Sequence, residues 1–475
     1  MTKFKPLVVA MLIGSATPAQ TDTSLPILGD SASSVVSLDE EYRIGRAWVR
    51  ILRAQAPLLD DPQIYSYIEA LLYRLAGHSQ LPDRRLSLVL MDNSSLNAFA
   101  APGGVVGINA GLFLYAASEA EFASVVAHEL SHLSQRHYAM GLQEQQRNAP
   151  WQLASMLASI LVMAAADGQA GAAAMMSSQA AFAQKGLAFS RANEQEADRI
   201  GMQVLVDAGY DPRAMPEMFA QMQRSTAYLG QRAPEFLLTH PVTESRIADA
   251  LNRSAQLPTD GLRNSMEYQL IQTRVKVQMA RNANEAFKQF RDAVLNSPSP
   301  SNYYGLAFSA LKSGHYDDAQ NALDKLQQED PNRLSYQLLA AEISLSSGDA
   351  QHASALLRDI LALYPDNHSA VRLLAQALVK AQQYDEATRV MREHTRSYPD
   401  DLQLWYELAE AYGLAGNRLG LHQARAEYFL LRGAVPQAEL QLNQALKIED
   451  LNPGDRARIE RRLAEAQQIR KDMEF

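Results

Sequence analysis

The chain has 475 residues, too many for one ordinary core, so two or three domains are expected. Apolar residues at 47% against 20% charged exclude a disordered chain, and a net charge of −9 without any Lys/Arg run argues for protein partners and against nucleic acid. With no cysteine, disulfides, a thiol nucleophile and lipid attachment through an N-terminal cysteine are excluded as well.

Residues 1–19 place Lys3 and Lys5 ahead of an apolar stretch over 6–16 and small residues near Ala19, the order of a signal peptide. The stretch is too short to span a bilayer. Export without cysteine points to a bacterial periplasm. Gly, Ser, Pro and Asp dominate the next residues, so 20–37 is read as a linker. From residue 38 the pattern is mainly helical, with one β region just ahead of the central helix. Residues 85–91 alternate as a strand, while 97–100 and 105–108 read as a hairpin around Pro102-Gly103-Gly104. Residues 152–187 are rich in Ala, Met and Gly, and their one apolar run, 152–166, is short for a membrane span. This segment is read as a helix-loop insertion over the site or a buried helix pair, with a surface-lying helix and peripheral membrane association as the remaining option.

Past residue 265 a repeat sets in with a period of 34. Ala307, Ala341, Ala375 and Ala409 share one register, Ala319, Ala353 and Ala387 a second, and Pro331, Pro365 and Pro399 a third. Gly314, Gly348 and Gly416 share a fourth, in which Gln382 stands where a glycine is expected. Small residues at fixed offsets let antiparallel helices approach closely and Pro closes the second helix, so 265–475 is expected to be an α-solenoid of tetratricopeptide repeats. Ala426, Gly433 and Ala438 restart the offsets only 17 residues after Ala409, so one helix is expected to serve two units. Residues 266–296 read as a degenerate leading pair and 456–471 as a charged capping helix.

The chemistry centres on His128-Glu129-Leu130-Ser131-His132, in a helix opened by Ser118 and Glu121 at capping-box spacing. A spacing of four puts both imidazoles on one helical face, where they can bind one zinc, and leaves Glu129 to take the proton of an attacking water as general base. A catalytic zinc needs a third protein ligand. Glu194 is the best candidate, because Asp198 lies one turn further along the same helix and can accept the outer N–H of a ligand histidine. Glu196 is expected to point away, into solvent. His240, before Pro241, sits on a loop or helix entry; it is a candidate fourth, inhibitory ligand, a hydrogen-bond donor to an oxyanion, or a pin for its loop. His78, His137, His315, His352, His368, His394 and His422 have no partner constellation in the sequence.

Asn97-Ala98-Phe99-Ala100-Ala101-Pro102-Gly103-Gly104, the His-Glu-x-x-His at 128–132, Glu-x-x-Ala-Asp at 194–198 and His240-Pro241 followed by Arg246 resemble the metallopeptidase family that includes HtpX and the CAAX prenyl-protein proteases. The resemblance spans about residues 38–255. It implies a mainly α, gluzincin-like metallopeptidase domain with a small β-sheet over 38–264, one Zn2+ held by His128, His132 and Glu194, and Glu129 as general base. It also puts Asp198 at the position of a second catalytic acid, where the helix geometry favours a histidine-orienting role. The chain lacks the pair of long apolar spans of the integral-membrane members, which speaks against prenyl-protein processing inside a bilayer. Signal peptide and repeats together resemble the periplasmic, repeat-bearing members of the family. That implies a metalloendopeptidase with chaperone activity that degrades misfolded or stalled outer-membrane β-barrel proteins and meets the barrel-assembly machinery through its repeats.

A reading of a different class is a tetratricopeptide chaperone or assembly scaffold whose peptidase site is latent or inactive. The complete set of His128, Glu129, His132 and Glu194 favours the enzyme, with the repeats as a docking arm. The 105–108 edge beside the metal is expected to take up a substrate strand.

Overall fold

The computed structural model describes residues 37–138, 190–229 and 234–473; the expected signal peptide, nearly all of the linker and the 152–187 insertion lie outside them. Helix α1 (Leu38–Gln55) starts where Ser37 Oγ accepts from the Glu40 amide, with Asp39, Glu40 and Glu41 facing the positive end of the helix dipole. Helix α2 (Pro62–Gly77) is opened by Asp61, whose carboxylate accepts from the Gln63 and Ile64 amides at 3.0 and 3.1 Å. Strands β1 (Ser87–Met91), β2 (Ala98–Ala101) and β3 (Val105–Asn109) then form a sheet of order β1-β3-β2. β2 and β3 are the expected antiparallel hairpin, turned by Gly103 and Gly104 at φ +80° and +73°, where a side chain would be strained. β1 runs parallel to β3 on its other side. The 105–108 segment is therefore the middle of the sheet, with its backbone paired on both sides, and cannot accept a further strand; β2 is the edge next to the helix that follows.

Short α3 (Leu112–Tyr115) leads into α4 (Glu119–Ser134), where Ser118 Oγ caps the Glu121 amide and Glu121 Oε2 accepts from the Ala117 amide at 2.8 Å. Every residue of α4 is buried. Its Phe122, Val126 and Leu130 share one core with Ile64, Ile68 and Leu72 of α2 and with Val106 and Ile108 of β3. Helix α5 (Arg191–Asp207) packs along α4. Gly201 permits the close approach, since a Cβ there would meet the His128 amide nitrogen at 3.1 Å. Helices α6 (Ala214–Leu229), α7 (Glu235–Thr239) and α8 (Glu244–Ser254) complete this part, with Met215, Met218, Phe219 and Phe236 in the same core.

The leading pair is α9 (Met266–Gln278) and α10 (Ala283–Asn296). Behind it stack α11 (Pro300–Lys312), α12 (Tyr316–Glu329), α13 (Leu334–Ser347), α14 (Ala350–Leu363), α15 (His368–Lys380) and α16 (Tyr384–His394). Helices α17 (Leu402–Leu414), α18 (Arg418–Leu431) and α19 (Val435–Leu446) continue the stack, and α20 (Pro453–Asp472) closes it. The repeated alanines from Ala307 to Ala409 lie at the helix contacts, none more than 1% exposed. Helix α18 packs against both α17 and α19, the shared helix that the shortened offset predicts. Gly314, Gly348 and Gly416 turn each unit at φ +80°, +101° and +72°, and Gln382 makes the same turn at +61°.

The solenoid is joined to the catalytic part along its length. Helix α9 packs against α2 and α3 and puts Tyr268, Ile271 and Val275 into the core that holds α4. Helix α15 also meets α2, while α18 and α20 meet α1. Buried Arg274 reaches Asp61 Oδ2 with Nε at 2.7 Å and Glu342 Oε1 with Nη2 at 2.6 Å. Buried Arg372 reaches Asp60 Oδ1 at 2.6 Å and Glu407 Oε1 at 2.8 Å. Each guanidinium thus ties the start of α2 to a repeat helix with two carboxylates to offset its desolvation. A cleft of about 470 Å³ lies between the two parts, bordered by β1, Tyr65, Tyr398 and Asp401. No described helix is long and apolar enough to cross a membrane.

Candidate metal centre

Four side chains from three elements converge on one buried point. Helix α4 supplies His128 and His132 one turn apart, α5 supplies Glu194 from its first turn, and His240 caps α7. One donor atom of each lies within 4.8 Å of all the others, and none of the four residues is more than 2% exposed. His128 Nε2 and His132 Nε2 are 3.1 Å apart. His240 Nδ1 is 3.4 Å from His128 Nε2 and 2.9 Å from Glu194 Oε1, which in turn is 3.4 Å from His132 Nε2. Tetrahedral ligands at zinc bond lengths of about 2.0–2.2 Å lie roughly 3.3–3.6 Å from one another, and these four spacings, 2.9–3.4 Å, are near enough for the set to close on a single ion. Lone pairs facing one another at such distances call for a cation or a shared proton between them.

Each ligand is held from behind. His128 Nδ1 lies 3.0 Å from Asp198 Oδ1, though out of line for a hydrogen bond. Arg246 of α8 grips Asp198 with two hydrogen bonds of 2.7 Å, stands 2.7 Å from Glu194 Oε2 and donates from Nη1 to the Pro241 carbonyl at 2.8 Å. One guanidinium therefore fixes α5 and the His240-Pro241 turn together. The His240 ring stacks on Phe236 at 4.8 Å, and α7 is tied to the start of β2 by Asn97 Nδ2 donating to Glu235 Oε2 at 3.2 Å. Behind His132, its Nδ1 lies 2.8 Å from His137 Nδ1, and His137 Nε2 lies 3.2 Å from Glu196 Oε2.

Burial and charge set the protonation states. Burial drives His132 well below the ordinary histidine range, leaving the neutral ring a metal requires. Burial would raise Glu194, but the His240, His132 and His128 rings around it hold it well below the usual carboxylate range. Burial likewise opposes the charge on Asp198, and the Arg246 hydrogen bonds overcome it, so Asp198 is held ionised. Glu129 is fully buried, and burial pushes it up despite the nearby His240 and His128. Both of its carboxylate oxygens lack an aligned partner among the described residues, with His240 Nε2 3.5 Å away. A carboxyl shifted upward and left unengaged beside a metal-ligand set is suited to accept a proton from water.

The six sequence-derived site residues, His128, Glu129, His132, Glu194, Asp198 and His240, thus meet at one place. Two readings need correction. Glu196 does not point into solvent; it is half-buried against His137. Away from the site His368 meets both His394 and Asp401, and His137, likewise without a partner on paper, touches His132. Helical spacing cannot show this, because the chain leaves α4 at Gln135 and Arg136 takes φ +50°, which swings the next ring back. Arg246 entered the sequence reading only as part of a motif; its grip on Asp198 needed the fold.

Residues 62–254 match peptidase family M48, and residues 344–412 match a tetratricopeptide repeat. Over 472 residues the chain is 36% identical to the beta-barrel assembly-enhancing protease of Escherichia coli (strain K12), covering 98% of this chain and 96% of that protein. The chain belongs to the beta-barrel assembly-enhancing protease family. The family member of Yersinia pestis is 34% identical over 448 residues, 94% of this chain and 92% of its own. Like them, the chain is a metalloendopeptidase: the M48 match covers α2 through α8, the helices that carry or support the convergent donor set.

Proposed function

We propose that this chain is a periplasmic zinc endopeptidase that acts on assembling or misfolded outer-membrane β-barrel proteins, with the repeats binding those substrates or the machinery that inserts them. The convergence of His128, His132, Glu194 and His240 on one point carries the reading, and the family's name supplies the substrate class. Zinc, when bound, supplies Lewis acidity that polarises the scissile carbonyl and eases ionisation of water. Glu129 takes the proton of the attacking water and returns it to the leaving amine. Asp198, pinned by Arg246, orients His128. Residues 1–19 would be removed as signal peptide and 20–37 would act as a linker. The catalytic domain would run over 38–264 and the repeat domain over 265–475, with α9 serving both. An extended substrate would pair with the outer edge of β2, the strand that packs beside the helix carrying Glu129.

The fourth donor favours a second element of the reading, latency. Four protein ligands make a closed, structural-type site, whereas catalysis needs an open position. We therefore assign His240 as an inhibitory ligand that must leave for turnover, which also accommodates a chaperone role while the site is shut. The test is zinc content and cleavage of an unfolded outer-membrane barrel protein by wild type and His240→Ala. Retained zinc with several-fold faster cleavage is expected. A loss of about a hundredfold would instead make His240 an oxyanion donor, and absence of zinc from the wild type would defeat the whole reading.

A further inference from the structure

We propose that His137 and Glu196 form an outer relay that fixes His132 as a metal ligand, and that the left-handed turn at Arg136 exists to aim it. The proposal rests on the metal-centre reading above and concerns residues to which that reading gives no task.

The backbone shows the investment. Arg136 at φ +50° is, with Gln382, one of two non-glycine residues in the left-handed region among the described residues. Such a position is disfavoured for an L-residue, whose Cβ crowds the following carbonyl, and persists only where neighbours enforce it. Glu41, in the first turn of α1, does so: its Oε1 accepts from Arg136 Nη2 at 2.6 Å and from Nε at 3.2 Å, with both residues buried. The turn reverses the chain directly after α4, so the His137 ring packs on the His132 ring with centroids 5.0 Å apart.

Proton bookkeeping then leaves one consistent arrangement. His132 aims Nε2 at the donor cluster, 3.1 Å from His128 Nε2, and a ligand nitrogen must be bare. The proton of the neutral ring is therefore on Nδ1, which donates across 2.8 Å to His137 Nδ1. His137 carries its own proton on Nε2 and donates it to Glu196 Oε2 at 3.2 Å. Glu196 sits two residues from Glu194 on α5, so the helix that supplies one ligand also anchors the support of another. The chain carboxylate, imidazole, ligand imidazole makes His132 a better electron donor and fixes its ring plane. His137 and Glu196 are positioning residues, since neither reaches the reacting atoms.

The test uses the full chain and zinc itself, with the dissociation constant measured by competition against a chromophoric chelator. His137→Ala is expected to weaken zinc about 10–100-fold, the usual cost of losing an outer partner. His137→Asn, whose Oδ1 replaces the Nδ1 acceptor, should recover most of that loss. Glu196→Ala should cost several-fold, and combined with His137→Ala it should add nothing further. Nitrogen-15 shifts of His132 in the metal-free protein should show the Nδ1–H form in wild type and a mixture in His137→Ala. Wild-type affinity in His137→Ala, or equal damage from Asn and Ala, overturns the relay. If His137→Ala does not fold, unchanged affinity in Glu196→Ala overturns it equally. A wild type that binds no zinc is a different result, the failure of the metal-centre reading and not of the relay alone.

Discussion

The metal centre and the junction between catalytic part and repeats are both buried and polar, yet they are built on opposite principles. At the junction Arg274 and Arg372 each close on two carboxylates, so every charge finds its match inside the protein. At the metal centre three imidazoles and a carboxylate turn their lone pairs toward one point, and Glu129 keeps both oxygens without an aligned partner among the described residues. Buried polarity that is fully matched holds structure, while buried polarity left open is reserved for something that arrives. The two regions should therefore fail differently when a side chain is removed.

The largest effect is expected at the open site. Glu129→Gln should keep full zinc and lose about 10²–10⁴ in turnover, the contribution of a positioned general base. His128→Ala, His132→Ala and Glu194→Ala should each lose zinc as well as turnover, while the folded state of the metal-free protein is little affected or even stabilised by relief of the crowded donors. Metal analysis, peptide turnover and thermal unfolding of the same samples separate these outcomes. Normal zinc in Glu194→Ala would break the comparison at its first term.

The closed junction should show the reverse. Arg274→Ala leaves buried Asp61 and part-buried Glu342 around a missing cation, a type of loss that costs up to about 3–5 kcal/mol, whereas Arg274→Met should cost less because it fills the space. Zinc binding by the folded fraction should stay as in wild type. Truncation after residue 264 goes further, since it strips Tyr268, Ile271 and Val275 from the core that holds α4. The shortened chain should expose that core and lose peptide hydrolysis, which distinguishes a structural partner from a detachable docking arm. Denaturant unfolding and hydrolysis of a short peptide measure both.

How far the sequence reached follows the same divide. The His-Glu-x-x-His helix, the Glu194–Asp198 pair and the 34-residue registers were readable because each depends on local helical spacing. Even the shared helix α18 showed as a shortened offset. The centre of the sheet was misplaced because strand order is non-local: a hairpin at 97–108 does not say that β1 will pair with its second strand. His137 and Glu196 were missed because one left-handed residue, Arg136, breaks the helical period between His132 and His137. The arginine clamps at Asp61 and Asp60 join residues more than two hundred positions apart, and nothing in local pattern announces them.

A smaller effect is expected from His394, which sits behind His368 of the cleft wall. His368 Nδ1 lies 2.9 Å from His394 Nε2, and His368 Nε2 lies 3.0 Å from Asp401 Oδ2. Burial, then the charge of His368, pushes His394 down to about 4, against weaker upward pulls from Asp401 and Asp366. The folded protein thus binds fewer protons than the unfolded chain between pH 4 and the ordinary histidine value near 6.5, so stability is full above that window and falls as pH drops through it. His394→Gln keeps a polar group at the Nε2 position and removes the titration. Its melting temperature should fall less steeply than that of wild type across this window, and parallel curves would remove His394 from the account.

The smallest effect concerns the second left-handed residue and shows what strain means in each region. Arg136 is buried and clamped by Glu41 beside the metal centre, whereas Gln382 is exposed at a repeat turn where its counterparts are glycines. Gln382→Gly should relieve about 1–2 kcal/mol of left-handed strain. Against that stands the extra freedom of glycine in the unfolded chain, roughly 0.4–1 kcal/mol. The net is a stabilisation of about 0.8 kcal/mol, visible as a higher denaturation midpoint, with zinc affinity and turnover unchanged. Arg136→Gly relieves the same strain but frees Glu41 and releases His137 from its aim, so it should weaken zinc binding whatever it does to the midpoint. A loss of zinc affinity in Arg136→Gly alone would show that strain at the metal centre is used and strain in the repeats is merely tolerated. A loss of zinc affinity in neither variant would place both turns in the second class.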